Sequence, residues 1–259
     1  NKFSQSLNIN LKKWSKSNLQ IKKILSKFQN QTQYLIQKQS IKRNNHFDLN
    51  PFKTSTNGLL GLTMNLRNNL YFNRGKQHYS TTYTFINNRS KNTLSFGYVE
   101  NELLSHQFSL NHKLKNILFS SLISIDNRKS ESENFESKNY NFNDIKYGPK
   151  FTYFIEDSNK IDLYYQYSNT ENIIGSFETL SQNKFGISSN FSNKNAISIN
   201  GELNYYKNKF TGNPNSIIGY IMMEGLQPGN NLTWSLNIQK KITKYVDLNL
   251  NYFARKTEN

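Results

Sequence analysis

The stretch Asn231-Leu232-Thr233-Trp234-Ser235-Leu236-Asn237-Ile238-Gln239 decides the fold, together with Val246-Asp247-Leu248-Asn249-Leu250-Asn251-Tyr252 a short turn later. Apolar and polar residues alternate with a period of two in both. Successive side chains of a strand point to opposite faces, so each run is a ribbon with one apolar and one polar face. The polar faces are made of Asn, Ser, Thr and Gln rather than charge clusters. That combination is the signature of a membrane-spanning barrel strand, apolar toward lipid and polar toward a wet lumen.

The same period recurs upstream. Leu60, Leu62, Met64 and Leu66 alternate with Gly61, Thr63, Asn65 and Arg67; Phe108 and Leu110 alternate with Gln107, Ser109 and Asn111. Further ribbons are read at 3–13, 31–39, 79–85, 94–98, 119–126, 147–154, 161–167, 185–191 and 197–205, with the outermost two at 3–13 and 245–255. Residues 15–29 fit a short amphipathic helix or an irregular loop, and 41–57, which includes Pro51, a connection. Short connections fall at 115–116, 156–160, 192–195 and 241–244. Long polar ones fall at 127–139 and 169–182. Parity of the short turns places 208–230 in one long excursion, with room for a short β segment at 217–222. The expected architecture is an all-β, antiparallel up-and-down transmembrane barrel of roughly 12–14 strands, long loops on one side and tight turns on the other.

Composition agrees. Only 35% of the 259 residues are hydrophobic, too few for a water-soluble core of this size, yet 18 Phe, 16 Tyr and 2 Trp fall in phase with the alternation. A barrel wall needs only every second residue to be apolar. No run approaches the roughly 18 apolar residues of a membrane helix. Absence of Cys excludes disulfides, zinc knuckles and thiol chemistry. The net charge of +16 comes from scattered Lys without a nucleic-acid motif, so no nucleic-acid partner is expected.

The run from Gly219 through Gly225-Leu226-Gln227-Pro228-Gly229 to Leu236, and the end Asn249-Leu250-Asn251-Tyr252-Phe253-Ala254-Arg255-Lys256-Thr257-Glu258, resemble segments of large, poorly characterised outer-membrane β-barrel proteins of the Bacteroidota. Asn50-Pro51-Phe52-Lys53-Thr54 and Leu70-Tyr71-Phe72-Asn73-Arg74 fit the same resemblance. It implies a Gram-negative outer membrane and the C-terminal region of one barrel domain spanning 1–259. In that family a further strand ending in an aromatic residue follows, so the resemblance implies that the final strand is missing and that this chain is an incomplete barrel.

Residues that carry chemistry are few. There is no GxGxxG, P-loop or HExxH pattern, and no cofactor or metal is expected. His106 and His112 lie six residues apart, too far for joint ligation along one strand. His78 and Ser80 share strand parity, the minimum for a barrel-wall lipid hydrolase, but no orienting Asn or Asp accompanies them. Ser109 takes the face opposite His106 and His112. Trp14, Tyr34, Tyr83, Trp234 and Tyr252 read as interfacial girdles. The residues assigned to lipid are Leu60, Leu62, Met64, Leu66, Phe108, Leu110, Trp234, Leu236, Ile238, Val246, Leu248 and Leu250. The charges assigned to the lumen are Arg67, Lys113, Asp162, Glu202 and Asp247.

The expected partners are outer-membrane lipid, the rest of the barrel and envelope proteins. The expected function is non-enzymatic: a transport, receptor or export barrel. A barrel that anchors adhesive extracellular loops is the first alternative and a barrel-wall lipid hydrolase the second.

Overall fold

The computed structural model describes residues 2–10, 25–40, 59–75, 78–155, 159–193, 197–243 and 245–258. The strands are β1 (Lys2–Asn10), β2 (Phe28–Ser40), β3 (Leu59–Phe72), β4 (Tyr79–Thr93), β5 (Tyr98–Leu114) and β6 (Ile117–Ser132). They continue as β7 (Tyr140–Phe154), β8 (Lys160–Asn172), β9 (Thr179–Asn193), β10 (Ile197–Thr211), β11 (Gly229–Lys241) and β12 (Asp247–Thr257). Each pairs antiparallel with its chain neighbour, giving one 12-stranded up-and-down sheet in sequence order. Among the described residues the sheet is not closed: β1 and β12 are its two edges, as in an incomplete barrel.

The register keeps one parity through the wall. Ser105 faces Asp126, Asp126 faces Asp144, Asp144 faces Thr170, and Thr170 faces Leu180. On the other face His106, Ile125, Ile145, Asn169 and Ser181 line up in the same way. Burial is inverted relative to a water-soluble protein. Among the described residues eighteen polar or charged residues are buried against nine hydrophobic ones. Ser105, Ser124, Asp126, Asp144 and Thr170 are buried while Ile123, Ile125, Ile145, Leu163 and Phe185 are exposed. The sheet therefore curls around its polar face. The accessible surface is 17717 Å², against about 11,800 Å² for a globular monomer of 30.4 kDa.

The outward apolar residues form a band. It runs over 117–125 on β6, 145–153 on β7, 161–167 on β8, 185–191 on β9 and 197–205 on β10. Beyond it β4, β5 and β6 continue as strand with polar outward residues. There Arg89 pairs with Glu100 and with Glu102 (3.1 Å), Lys91 with Glu100 (3.2 Å), and Lys129 with Glu131 (2.9 Å). This extension corrects the sequence reading. Residues 127–132 and 169–172 are strand, not loop, because their cross-strand partners continue the ladder; the loops are 133–139 and 173–178. The N-terminal strand is described as far as Asn10, residues 11–13 of the expected ribbon lying outside the described residues, and the last begins at Asp247 rather than 245. Val246 consequently lies in the turn before β12, where its carbonyl accepts from the N–H groups of Ile242 and Thr243.

The meander fixes which loops share an end. Loops 94–97, 133–139, 173–178 and 212–228 lie at one end; the connections after Leu114, Phe154 and Lys241 start from the other. The 115–116 hairpin is the tightest, with Leu114 paired to Ile117 and Lys115 at a φ of 49°. Residues 11–24 and 41–58, including His46, Trp14 and most of the expected helix at 15–29, lie outside the described residues.

Candidate functional site in the lumen wall

The inward face of β5–β10 is a ladder of hydrogen-bonded charges. Asp126 accepts from Ser105 Oγ (2.5 Å) and Ser124 Oγ (3.2 Å) and lies 3.8 Å from Lys146 Nζ. Asp144, with no accessible surface, accepts from Arg128 Nε (2.5 Å) and Nη2 (3.1 Å) and from Thr170 Oγ1 (2.5 Å). Asp162 accepts from Thr152 Oγ1 (2.5 Å) and Ser188 Oγ (3.3 Å), with Lys150 at 3.0 Å and Lys160 at 3.9 Å. Register puts each acid beside a hydroxyl or a base on the next strand, so no buried carboxylate here lacks a partner, as burial of charge requires.

Tyr164 and Gly186 form a joint in this face. They are direct cross-strand partners, and the Tyr164 ring lies across the space a side chain at 186 would occupy. Its hydroxyl donates toward Glu202 Oε1 (2.7 Å) and lies 2.5 Å from Asn204 Oδ1, while Lys184 Nζ sits 5.3 Å from the ring centroids of Tyr164 and Tyr206. Glycine supplies the room, and the aromatic ring covers the gap it leaves.

The connection 212–228 folds against the inward face. Ser216 caps a short helix, α1 (Ile217–Met222), by accepting from Gly219 N–H (2.9 Å). Gly219 is needed there because a Cβ would come within 2.6 Å of the Asn213 carbonyl oxygen. Ile218, Met222, Met223 and Leu226 then pack with Phe142 of β7 and Leu180 of β9, flanked by Tyr140, Tyr206, Phe210 and Ile221. Phe142 and Met223 are completely buried.

Wall amides pin the loop backbone. Asn208 Nδ2 donates to Gln227 O (3.1 Å), Asn231 Nδ2 to the same oxygen (2.8 Å), and Arg255 Nη1 to Gly225 O (3.0 Å), while Asn231 Oδ1 accepts from Gln227 N–H (3.1 Å). Beneath the loop lies a cleft of about 280 Å³ lined by Lys184, Glu202, Tyr206, Glu224, Phe253 and Arg255. A second groove of about 460 Å³ runs along Lys146, Lys150, Tyr164, Gln166 and Ser188.

Sequence expectation gave 217–222 as a possible β segment in an outer excursion. It is helical, and it lies on the wall's inner side. The Ser216 cap and the spacing of Ile217, Ile218, Ile221 and Met222 are the signals that identify it. Of the charges assigned to the lumen, Asp162 and Glu202 are the two inside the ladder. Arg67 is on the same face and donates to Asn69 Oδ1 (3.3 Å). Lys113 lies over the Phe154 ring at 5.4 Å near the turns. Asp247 pairs in register with Lys241 at the β12 edge.

Asp126, Asp144, Arg128, Lys146, Lys150, Lys184 and Arg255 share this face by strand parity, a signal the sequence carries in the alternation alone. Leu60, Leu62, Met64, Leu66, Phe108, Leu110, Trp234, Leu236, Ile238, Leu248 and Leu250 all have outward parity; Leu62 is buried on that side. His78 lies in the turn before β4, not in the strand with Ser80, and its carbonyl accepts from Lys113 N–H. His106 is outward, its Nδ1 2.8 Å from Tyr83 Oη.

Compared with models of protein families and with curated protein sequences, the chain matches none.

Proposed function

We propose that this chain is a wall segment of an outer-membrane β-barrel whose polar lumen is narrowed by the 212–228 loop, and that the barrel serves transport, reception or export across the membrane. The inverted burial supports the membrane part of the reading. More than two dozen large outward apolar residues are exposed, and fully burying a side chain of this kind from water is worth about 1.5–3 kcal/mol. The outward band, nine residues on β6, β7 and β10, is close to the about 9–11 that a tilted strand uses to cross hydrocarbon. The Bacteroidota outer-membrane resemblance points to the same compartment.

The observation that carries the transport reading is the loop pinned to the lumen wall by Asn208, Asn231 and Arg255 above a charged cleft. A loop folded inward sets the size and charge of what passes. Strands that project beyond the band, with their ion pairs, favour a second reading: a barrel that anchors an outer binding platform. Planar-bilayer conductance of the protein separates the two. Transport predicts conductance that rises when Arg255→Ala and Asn231→Ala release the loop. A silent bilayer, unchanged by those substitutions, refutes transport and favours the anchor.

A further inference from the structure

The outward face carries a recess that neither the lumen nor the loop uses. It has a volume of about 470 Å³ and is walled by Phe151, Leu163, Tyr165, Phe185, Leu203 and Tyr205. Its floor has local causes. Pro149, which has no N–H, interrupts the β7–β8 ladder between the Tyr147–Tyr167 and Lys150–Tyr164 pairs. Gly201, outward on β10 two residues from Leu203, leaves the neighbouring wall without a side chain, whereas Gly186 opens toward the inward face and contributes only backbone here. Bulky rings on either side of these gaps leave a long apolar slot in the wall.

Above the slot the outward charge is net positive, three lysines standing against Glu171 of β8 and Glu258. Lys207 and Lys209 follow Leu203 and Tyr205 on the outward face of β10, and Lys256 projects from the same face of β12; all three are exposed. Two residues of strand span about 6.6–6.8 Å, so Lys207 stands just past the mouth of the slot. No ion pair holds these three among the described residues, and the outward positions of β9, β10 and β11 carry no acid. Glu258 is engaged by the Asn230 N–H (2.5 Å). At the same end of β4–β6, by contrast, Arg89, Lys91 and Lys129 are neutralised by Glu100, Glu102 and Glu131.

We infer that this surface binds one anionic membrane lipid, its phosphate held by Lys207, Lys209 and Lys256 and an acyl chain lying in the slot. The inference rests on the barrel-wall reading above. Charge complementarity selects the headgroup, because each lysine near an anionic lipid surface contributes about 1 kcal/mol. The slot selects the chain, because its lining is apolar and lies within the outward band.

Trp234 is the cross-strand partner of Leu203 and reports on the site. The variant Trp14→Phe makes it the sole tryptophan. This protein is folded into phosphatidylcholine vesicles in which a fixed fraction of lipid, either phosphatidylcholine or phosphatidylglycerol, carries brominated chains. Brominated phosphatidylglycerol is expected to quench Trp234 more strongly, with a relative association constant about threefold higher or more. Joint substitution Lys207→Gln, Lys209→Gln and Lys256→Gln brings the two lipids to parity. Lys240→Gln, at the opposite end of β11, leaves the preference intact. Equal quenching in the parent, or a preference that survives the triple substitution, overturns the lipid site and leaves the wall reading standing. No quenching by either lipid overturns the wall reading and the site with it.

Discussion

Gly186→Ala tests the joint in the lumen wall. A Cβ at 186 would overlap the Tyr164 ring and come within 2.5 Å of Asn204 Oδ1. The ring must leave, and with it go the Tyr164 hydroxyl contacts to Glu202 and Asn204. The single hydroxyl proton donates one hydrogen bond, whose loss costs about 0.5–1.5 kcal/mol, and the forced displacement costs about 1–3. Alanine recovers about 0.5–1 kcal/mol of chain entropy relative to glycine. The net expectation is a destabilisation of about 0.5–4 kcal/mol, centred near 2. Urea titration of the folded protein in detergent, followed by tryptophan fluorescence, measures it. The control is the same change in a Tyr164→Ala background, where the space is open and Asn204 is free to move; there it should cost under about 0.5 kcal/mol. A small effect in the parent, or an undiminished one in the Tyr164→Ala background, refutes the joint.

Asp144→Ala leaves the Arg128 guanidinium without its buried partner and should cost about 2–4 kcal/mol, discounted because Arg128 is a third exposed; the same urea titration decides. Met223→Ala removes a completely buried side chain, so proteinase K should cut within 212–228 faster than in the parent while the strands stay protected. Single cysteines at Asn134 and Asn215 should label from one side of the membrane, and those at Asn116 and Ile242 from the other. Mixed labelling within either pair contradicts the meander.

The ribbons were legible because a period of two needs no tertiary information: Leu232 to Ile238 and Leu60 to Leu66 show it without help. Strand ends were less so. Residues 127–132 look like a polar loop because both of their faces are polar once the wall leaves the apolar band, yet the ladder to 140–143 holds them as strand. The helix at 217–222 is hard to tell from a strand in the sequence because the run is under two turns long and almost wholly apolar, so only the Ser216 cap and the i, i+4 pairs mark it. Asp162 and Glu202 could be placed on a face by parity. Their partners could not, since Lys150, Thr152, Ser188 and Tyr164 meet them only through the register of three other strands.

The central claim is that the outward face meets lipid and the inward face meets water. Spin labels placed one at a time from 199 to 208 along β10, in the protein folded into vesicles, test it through relative accessibility to oxygen and to a water-soluble nickel chelate. The account predicts a period of two, with oxygen favoured at Ile199, Gly201, Leu203 and Tyr205 and the chelate at Asn200, Glu202, Asn204 and Tyr206. Accessibility without that period, or with the chelate reaching Leu203 as readily as Glu202, contradicts it.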